Sequence, residues 1–337
     1  MKLKPFLDKY DTVIFDMDGV ITSEQSYWDS AALTVWEYLK FNRNEEIDTG
    51  VDYKEVRRNV FCNDELIDVL KCKGVNSNWD LGYVTALMAW ICCGVDNETD
   101  FQKALEYAKK LPENIIEAYD LLAEECSKAT GFDLDWLKRN GVMWKTMQTI
   151  FQEWYLGDEL YRKRYNVLPK ISGKSGQIFK ETPLLPIEPL REMLKLLSEN
   201  KRLCVGTGRI SDEITQPLAD WGIDTYFSKN GMSTFDLVET AERNTGLTLT
   251  KPSPYVFLKA LYGTDCDDEE IIRKTSEDEK ISRTLIVGDA GADILAAKAM
   301  GADFCAVLTG VQGERARPYF EKLNAEYILN SVLEFTE

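Results

Sequence analysis

The chain has 337 residues with 40 lysines and arginines, 57 aspartates and glutamates and no histidine, which gives a formal net charge of −17. Without histidine, the chain cannot build a nucleophile activated by imidazole or a zinc site with histidine ligands. The acidic balance argues against a nucleic-acid binder, because phosphate backbones attract positive surfaces. A small phosphorylated ligand is not excluded, since it responds to local charge only.

Length and composition indicate a globular protein of about two domains. We find no apolar run long enough to span a membrane and no apolar signal-peptide region at the N-terminus. The eight cysteines are scattered without a CxxC pair, which favours reduced thiols. We therefore expect a cytoplasmic location with no membrane or nucleic-acid partner. The sequence does not indicate an oligomeric state.

The first predicted strand is the apolar run at 12–16, which ends in Asp16. From about residue 23 to 180 the pattern changes, because apolar side chains recur at helical spacing, for example at Phe101, Leu105 and Ala108. No strand alternation is evident in this stretch. We therefore predict a long helical segment directly after the first strand.

From residue 181 onward, short apolar runs alternate with helical patterns, which is typical of a parallel sheet covered on both faces. The predicted strands lie at 202–207, 225–227, 284–288 and 304–308. The sheet needs the early strand to be complete. We predict a discontinuous α/β domain of residues 1–22 and 181–337, a Rossmann-like three-layer parallel sheet. An all-helical domain of residues 23–180 is inserted after its first strand.

Polar residues follow the predicted strands, where sites in open α/β sheets occur. Two carboxylates follow the first strand, a hydroxyl with accessible backbone N–H groups follows the second, and a lysine precedes a later helix. Two further carboxylates at i and i+4 share one side of a helix entrance. Each motif alone is weakly specific, but all occur in order at strand ends or helix starts. These residues are Asp16, Asp18, Thr207, Gly208, Arg209, Lys251, Asp289 and Asp293.

In this order the motifs DMDGV, VGTG, Lys251 and GDAGAD resemble the four motifs of the haloacid dehalogenase (HAD) superfamily. The resemblance covers the α/β part of the chain. It implies a HAD core, and it places the helical insertion at the position of the family's C1 caps. The insertion is larger than usual for such a cap, so the cap's position can be carried over but its substrate contacts cannot.

The resemblance implies phosphoryl transfer with Asp16 as nucleophile through an aspartyl-phosphate. Asp18 would protonate the leaving oxygen and later take a proton from water. The family's dehalogenases lack an acid at this position and its phosphonatases also depart there, so Asp18 favours a phosphatase or phosphomutase. Mg²⁺ would be held by the Asp16 carboxylate, the Asp18 backbone carbonyl and Asp289. Asp293 either helps to hold the metal or orients Lys251.

By the same resemblance, Thr207 and the Gly208 N–H bind phosphate oxygens, and Lys251 bridges Asp16 and the phosphoryl group. Two uses of Arg209 are open: it contacts a second anionic group of the substrate, or it pairs with an acid at the helix start.

Three functions are weighed. The first is a Mg²⁺-dependent phosphatase acting on a small phosphorylated metabolite. The second is a phosphosugar mutase similar to β-phosphoglucomutase, in which the cap excludes water. The third is a non-catalytic HAD-fold protein that binds a metabolite or a protein. The complete set of motif residues argues against the third.

One further pattern is the run from 161 to 180, which contains six bases and no acid. It either attracts an anionic substrate or forms a solvated hinge. The bases are Arg162, Lys163, Arg164, Lys170, Lys174 and Lys180.

Overall fold

The computed structural model describes residues 2–75, 77–112, 115–274 and 278–337. The chain divides into two compact units. We call Met1–Glu24 with Glu181–Glu337 the sheet unit, and Gln25–Lys180 the helical unit. All eight cysteines are free thiols. Within the described ranges, no helix is long and apolar enough to cross a membrane.

The sheet unit is built on six parallel strands in the order β3-β2-β1-β4-β5-β6. They are β1 (Thr12–Phe15), β2 (Arg202–Gly206), β3 (Phe227–Ser233), β4 (Thr284–Gly288), β5 (Asp303–Val307) and β6 (Tyr327–Leu329). The central strands β1 and β4 are buried along their whole length. Their continuous apolar sequence is explained by cover on both faces. Because β1 pairs with β2 on one side and β4 on the other, the chain reverses its direction of winding there.

Helices make up the regular structure of the helical unit in the part of the chain that the structure describes. They are α1 (Gln25–Asn42), α2 (Tyr53–Val60), α3 (Glu65–Cys72), α4 (Asn78–Cys93), α5 (Phe101–Ala108), α6 (Tyr119–Thr130), α7 (Leu134–Leu137) and α8 (Val142–Tyr165). Short 3-10 turns occur between some of them. Helix α1 is buried on most of its surface because it packs against α2, α4 and α8. Gly157, at φ 73°, interrupts α8 with a kink.

Helices cover both faces of the sheet. They are α9 (Ile187–Ser198), α10 (Asp212–Asp220), α11 (Phe235–Thr245), α12 (Tyr255–Tyr262), α13 (Asp268–Ile272), α14 (Glu279–Ser282), α15 (Gly291–Met300) and α16 (Arg317–Lys322). Alternate residues of β1 enter two separate cores: Val13 and Phe15 pack with α9, and Ile14 packs with α12 and α15. This arrangement confirms the predicted three-layer α/β fold with a parallel sheet.

Two strands differ from the sequence prediction. The strand expected at 225–227 is a helical turn, Asp224–Tyr226, and the strand itself runs from Phe227 to Ser233. Its middle residues are polar and partly exposed because β3 lies at the sheet edge, so an apolar run could not reveal it. Strand β6, at the other edge of the sheet, has three half-buried residues, and the sequence pattern did not predict it.

The basic run contains a buried ion-pair cluster within the helical unit. The Lys174 ammonium contacts the carboxylates of Glu37 on α1 and Glu153 on α8. All three side chains are at most 2% exposed. The Trp154 indole N–H also donates to Glu37, at 2.7 Å. Burial raises the pKa of Glu37 against the opposing effect of Lys174. Lys174 is therefore a structural cation, which neither interpretation of the basic run anticipated.

We expect Lys174→Met to lower the free energy of unfolding by about 3–5 kcal/mol, because the change leaves two buried carboxylates without their cation. Chemical denaturation would measure this difference. Lys170→Met is the matched control, since Lys170 is exposed and lies over the Phe41 ring. Equal stability of the two variants would contradict the structural role of Lys174.

A charge reversal at Lys174 is expected to unfold the helical unit rather than change KM alone.

Candidate active site

The carboxyl ends of β1, β2 and β4 bring together residues that are far apart in sequence. Phe15 is in register with Val205 on β2 and with Val287 on β4. The next residues along each strand therefore meet at one edge of the sheet. These next residues include Asp16 after β1, Thr207 after β2 and Asp289 after β4.

Lys251 and Asp293 complete a charged cluster with Asp16. The Lys251 Nζ lies 2.8 Å from Asp16 Oδ1 and 2.8 Å from Asp293 Oδ1. Helix α12, which begins just after Lys251, packs against β2 and β3. Asp293 lies in the first turn of α15, where its carboxylate accepts the backbone N–H of Ala290. The structure thus joins three of the predicted residues through one ammonium group.

Burial and like charge dominate the electrostatics of this cluster. Burial raises the pKa of Asp16 to about 7; the charges of Asp293 and Asp18 add to this rise, while Lys251 opposes it. Burial alone would lower the pKa of Lys251, but the carboxylates of Asp16 and Asp293 together raise it above its usual value. The cluster therefore holds more negative charge than its lysine offsets, and an additional cation would stabilise it.

Asp289 extends the cluster into a candidate metal site. Carboxylate oxygens of Asp16, Asp289 and Asp293 lie within 4.8 Å of one another. Burial, followed by the charges of Asp293 and Asp16, raises the pKa of Asp289 well above its usual range. A Cβ at Gly19 or Gly310 would collide with the Asp289 carboxylate, so a larger residue at either position would displace this side chain. Converging carboxylate oxygens with excess negative charge fit Mg²⁺, which prefers such ligands.

Asp18 lies in a tight turn beside this cluster. Gly19, at φ 72°, permits the turn, and the backbone N–H groups of Val20, Ile21 and Thr22 all bond to the Met17 carbonyl. The turn returns the Thr22 hydroxyl to Asp18 Oδ1, at 3.0 Å. The Asp18 side chain is 30% exposed, so it is the accessible acid next to the buried Asp16.

Arg209 pairs with two acids. Its Nη2 lies 2.6 Å from Asp18 Oδ1, and its Nη1 lies 2.9 Å from both carboxylate oxygens of Glu181. Nη1 also donates to the Glu213 backbone carbonyl at the start of α10. Pairing with an acid was one of the two uses considered for Arg209, but the acids are Asp18 and Glu181 rather than one at the start of the helix, where Arg209 meets the Glu213 backbone carbonyl. Glu181 was not predicted, because no local pattern links it to residues 28 and more positions away.

Thr207 and Gly208 occupy the predicted place at the end of β2. The Thr207 hydroxyl accepts the backbone N–H of Arg209 at 3.1 Å, and the Thr207 N–H donates to the Ser233 carbonyl. Thr207 is buried, whereas the space where a Cβ of Gly208 would lie is open. Thr207 therefore shapes the turn at this edge, and the Gly208 backbone is approachable.

Comparison with known proteins agrees with this arrangement. A family model described as HAD-hydrolase-like matches residues 248–335. A structure solved as a target of the Northeast Structural Genomics Consortium is 27% identical, with a TM-score of 0.83 and coverage of 96% of this chain and 97% of that one. Phosphatase Tt82 from Thermococcus thioreducens is 18% identical, with a TM-score of 0.51 and coverage of 92% and 99%, respectively, and shows a shared fold.

No curated protein sequence matches the chain at a significant level. The match to the family model includes β4 and the motif residues Lys251, Asp289 and Asp293. The other motif positions, at the ends of β1 and β2, lie upstream of it along the same parallel sheet. The sheet, the family match and the ordered motifs confirm the resemblance inferred from the sequence. The chain thus resembles the HAD superfamily in its parallel sheet, in the order of its motifs and, over residues 248–335, in its match to the family model.

Proposed function

We propose that the chain is a Mg²⁺-dependent phosphatase that removes phosphate from a small phosphorylated metabolite. The observation that carries the proposal is the cluster in which Lys251 contacts Asp16 and Asp293, with Asp289 beside them. Asp16 is a buried carboxylate at the carboxyl ends of the parallel strands, and one ammonium group holds it in place. It is suited to attack the phosphorus of a phosphoryl group whose negative charge the site offsets.

The first step transfers the phosphoryl group to the protein. An Asp16 carboxylate oxygen attacks phosphorus, the bond from phosphorus to the ester oxygen breaks, and Asp18 gives its proton to that departing oxygen. An aspartyl-phosphate and a free alcohol result. In the second step water attacks the same phosphorus and gives a proton to the Asp18 carboxylate. The bond to Asp16 then breaks, and inorganic phosphate leaves.

The other residues of the site bind and orient the phosphoryl group. We assign Lys251, Thr207 and the Gly208 N–H to the phosphoryl oxygens, with Arg209 acting through its contact with Asp18. The carboxylates of Asp16, Asp289 and Asp293 and the Asp18 backbone carbonyl would hold Mg²⁺. The ion would supply positive charge beside the phosphoryl group. Loss of one such preorganised donor typically costs about 10²–10³ in rate.

We assign selection of the metabolite to the helical unit, on the view that residues 23–180 are a cap inserted into a HAD core. Its size is consistent with a role beyond linking two strands. The proposal also places the protein in the cytoplasm.

Assay of the purified protein with Mg²⁺ against a broad panel of phosphate monoesters tests this function. We expect net release of inorganic phosphate from aryl phosphates and from a subset of metabolite esters. Formation of a sugar-phosphate isomer that requires a bisphosphate primer would instead show a mutase. Inactivity across the whole panel would favour the non-catalytic binding protein.

A further inference from the structure

We propose that Arg209 and Glu181 are positioning residues, a buried pair that anchors one oxygen of Asp18 and leaves the other to transfer the proton. The inference rests on the proposed function, since it concerns the leaving-group step of that reaction. Arg209 was open to a role with a second substrate anion. Its contacts instead direct it to Asp18.

The two Asp18 oxygens differ in their surroundings. Oδ1 accepts the Thr22 hydroxyl at 3.0 Å, Arg209 Nε at 3.0 Å and Arg209 Nη2 at 2.6 Å. Oδ2 has a longer contact, 3.2 Å, with the same Nε. Strong donors therefore concentrate on Oδ1 and fix the rotation of the carboxyl group. Oδ2 is the oxygen that remains suited to carry a proton to an ester oxygen.

Glu181 explains how an arginine can be held beside a site that must attract phosphate. The Arg209 and Glu181 side chains are each 1% exposed, whereas Asp18 is 30% exposed. Arg209 Nη1 donates to both carboxylate oxygens of Glu181 and to the Glu213 backbone carbonyl. The Nε and Nη2 edge of the same guanidinium is turned to Asp18. Glu181 thus sets the orientation in which Arg209 meets Asp18.

Only an arginine can connect Glu181 and Asp18 through one planar group. The guanidinium donates along two edges in a rigid fork, whereas the lysine ammonium is a point charge on a flexible stem. The link also spans the unit: Asp18 follows β1, Arg209 follows β2, and Glu181 is the first residue of the second segment of the sheet unit. The geometry therefore ties the proton-transfer residue to two separate parts of the chain.

Phosphate esters of graded leaving-group acidity test the inference. Dinitrophenyl phosphate needs little protonation of its leaving oxygen, whereas phenyl and alkyl phosphates need it strongly. We expect Arg209→Met to lower kcat/KM by about 10²-fold or more for phenyl and alkyl phosphates, the usual contribution of a general acid. The loss for dinitrophenyl phosphate should be less than about tenfold, because that leaving group departs without the acid.

Glu181→Gln should show the same dependence on the leaving group with a smaller loss, and Arg209→Lys should restore only part of the rate. These variants keep the test decisive if Arg209→Met does not fold. Lys259→Met is the matched control, because Lys259 is also a buried cation paired with an aspartate, Asp268, away from Asp18. Its effect should be the same for every ester.

Equal losses for all esters in the Arg209 and Glu181 variants would overturn the positioning role while leaving the phosphatase proposal intact. Wild-type protein that hydrolyses none of the esters would contradict the phosphatase proposal itself. A double variant supplies a further check. Arg209→Met combined with Asp18→Asn should be hardly slower than Asp18→Asn alone, because both changes disable the same function, proton transfer to the leaving oxygen.

Discussion

Asp16→Asn is expected to abolish phosphate-ester hydrolysis while making the metal-free protein more resistant to heat. An amide lacks the nucleophilic charge of the carboxylate, so kcat should fall by ~10⁴-fold or more. The gain in stability has a separate cause: burial raises the pKa of Asp16 to about 7, which means that the folded site disfavours the ionised carboxylate. Replacing it with a neutral side chain of the same shape removes that cost.

Steady-state kinetics on an aryl phosphate and a thermal melt in chelator-treated buffer would measure both effects. Asp224→Asn is the matched control, because Asp224 is exposed and lies before the start of β3, at the opposite end of the strand from the site. It should retain the wild-type rate and melting temperature. Substantial activity in Asp16→Asn would exclude Asp16 as the nucleophile, and a lower melting temperature would contradict the electrostatic account of the cluster.

The sequence could predict which side chains lie together at the candidate site, because the order of the parallel strands determines which strand ends are neighbours. Side chains that follow parallel strands converge at one sheet edge, so Asp16, Thr207 and Asp289 could be placed together from the strand positions alone. Lys251 precedes a helix rather than following a strand, so its assignment to the site came from its place in the order of the four motifs. The structure then added its contacts with Asp16 and Asp293.

The missing parts depend on contacts that no local pattern encodes. Glu181 is an isolated acid between the helical segment and α9, and only the fold brings it to Arg209. Lys174 belongs to a run that suggests a solvated face, yet α1 and α8 each supply a carboxylate that draws it into the interior. Strand β3 was misplaced for a related reason, since polar residues at a sheet edge lack the apolar signature of a central strand.

The second large effect concerns the metal. Mg²⁺ is expected to raise the melting temperature of the wild-type protein, because it binds the folded cluster of Asp16, Asp289 and Asp293 and has no equivalent site in the unfolded chain. At about 100 times Kd the gain is roughly 2.7 kcal/mol, which corresponds to about 5 °C or more for a unit of this size. Asp289→Asn should abolish most of this gain.

The metal effect should also depend on pH. Burial raises the pKa of Asp16 in the folded protein to about 7 from its usual 3.8, so between these pH values the folded protein binds more protons than the unfolded chain. Stability without metal therefore falls as pH rises through this range, and it is lowest above about pH 7. Mg²⁺ replaces those protons, so its stabilising effect should grow over the same interval.

Melts at pH 5 and pH 8, with and without Mg²⁺, would measure this change at roughly the two ends of the titration. Asp289→Asn should melt higher than wild type without metal, because it removes a carboxylate whose pKa is raised by desolvation and by the neighbouring charges of Asp293 and Asp16. It should also lose the dependence on Mg²⁺. An equal Mg²⁺ shift in Asp289→Asn and wild type would place the ion elsewhere, and a shift that shrinks with rising pH would contradict displacement of protons from these carboxylates.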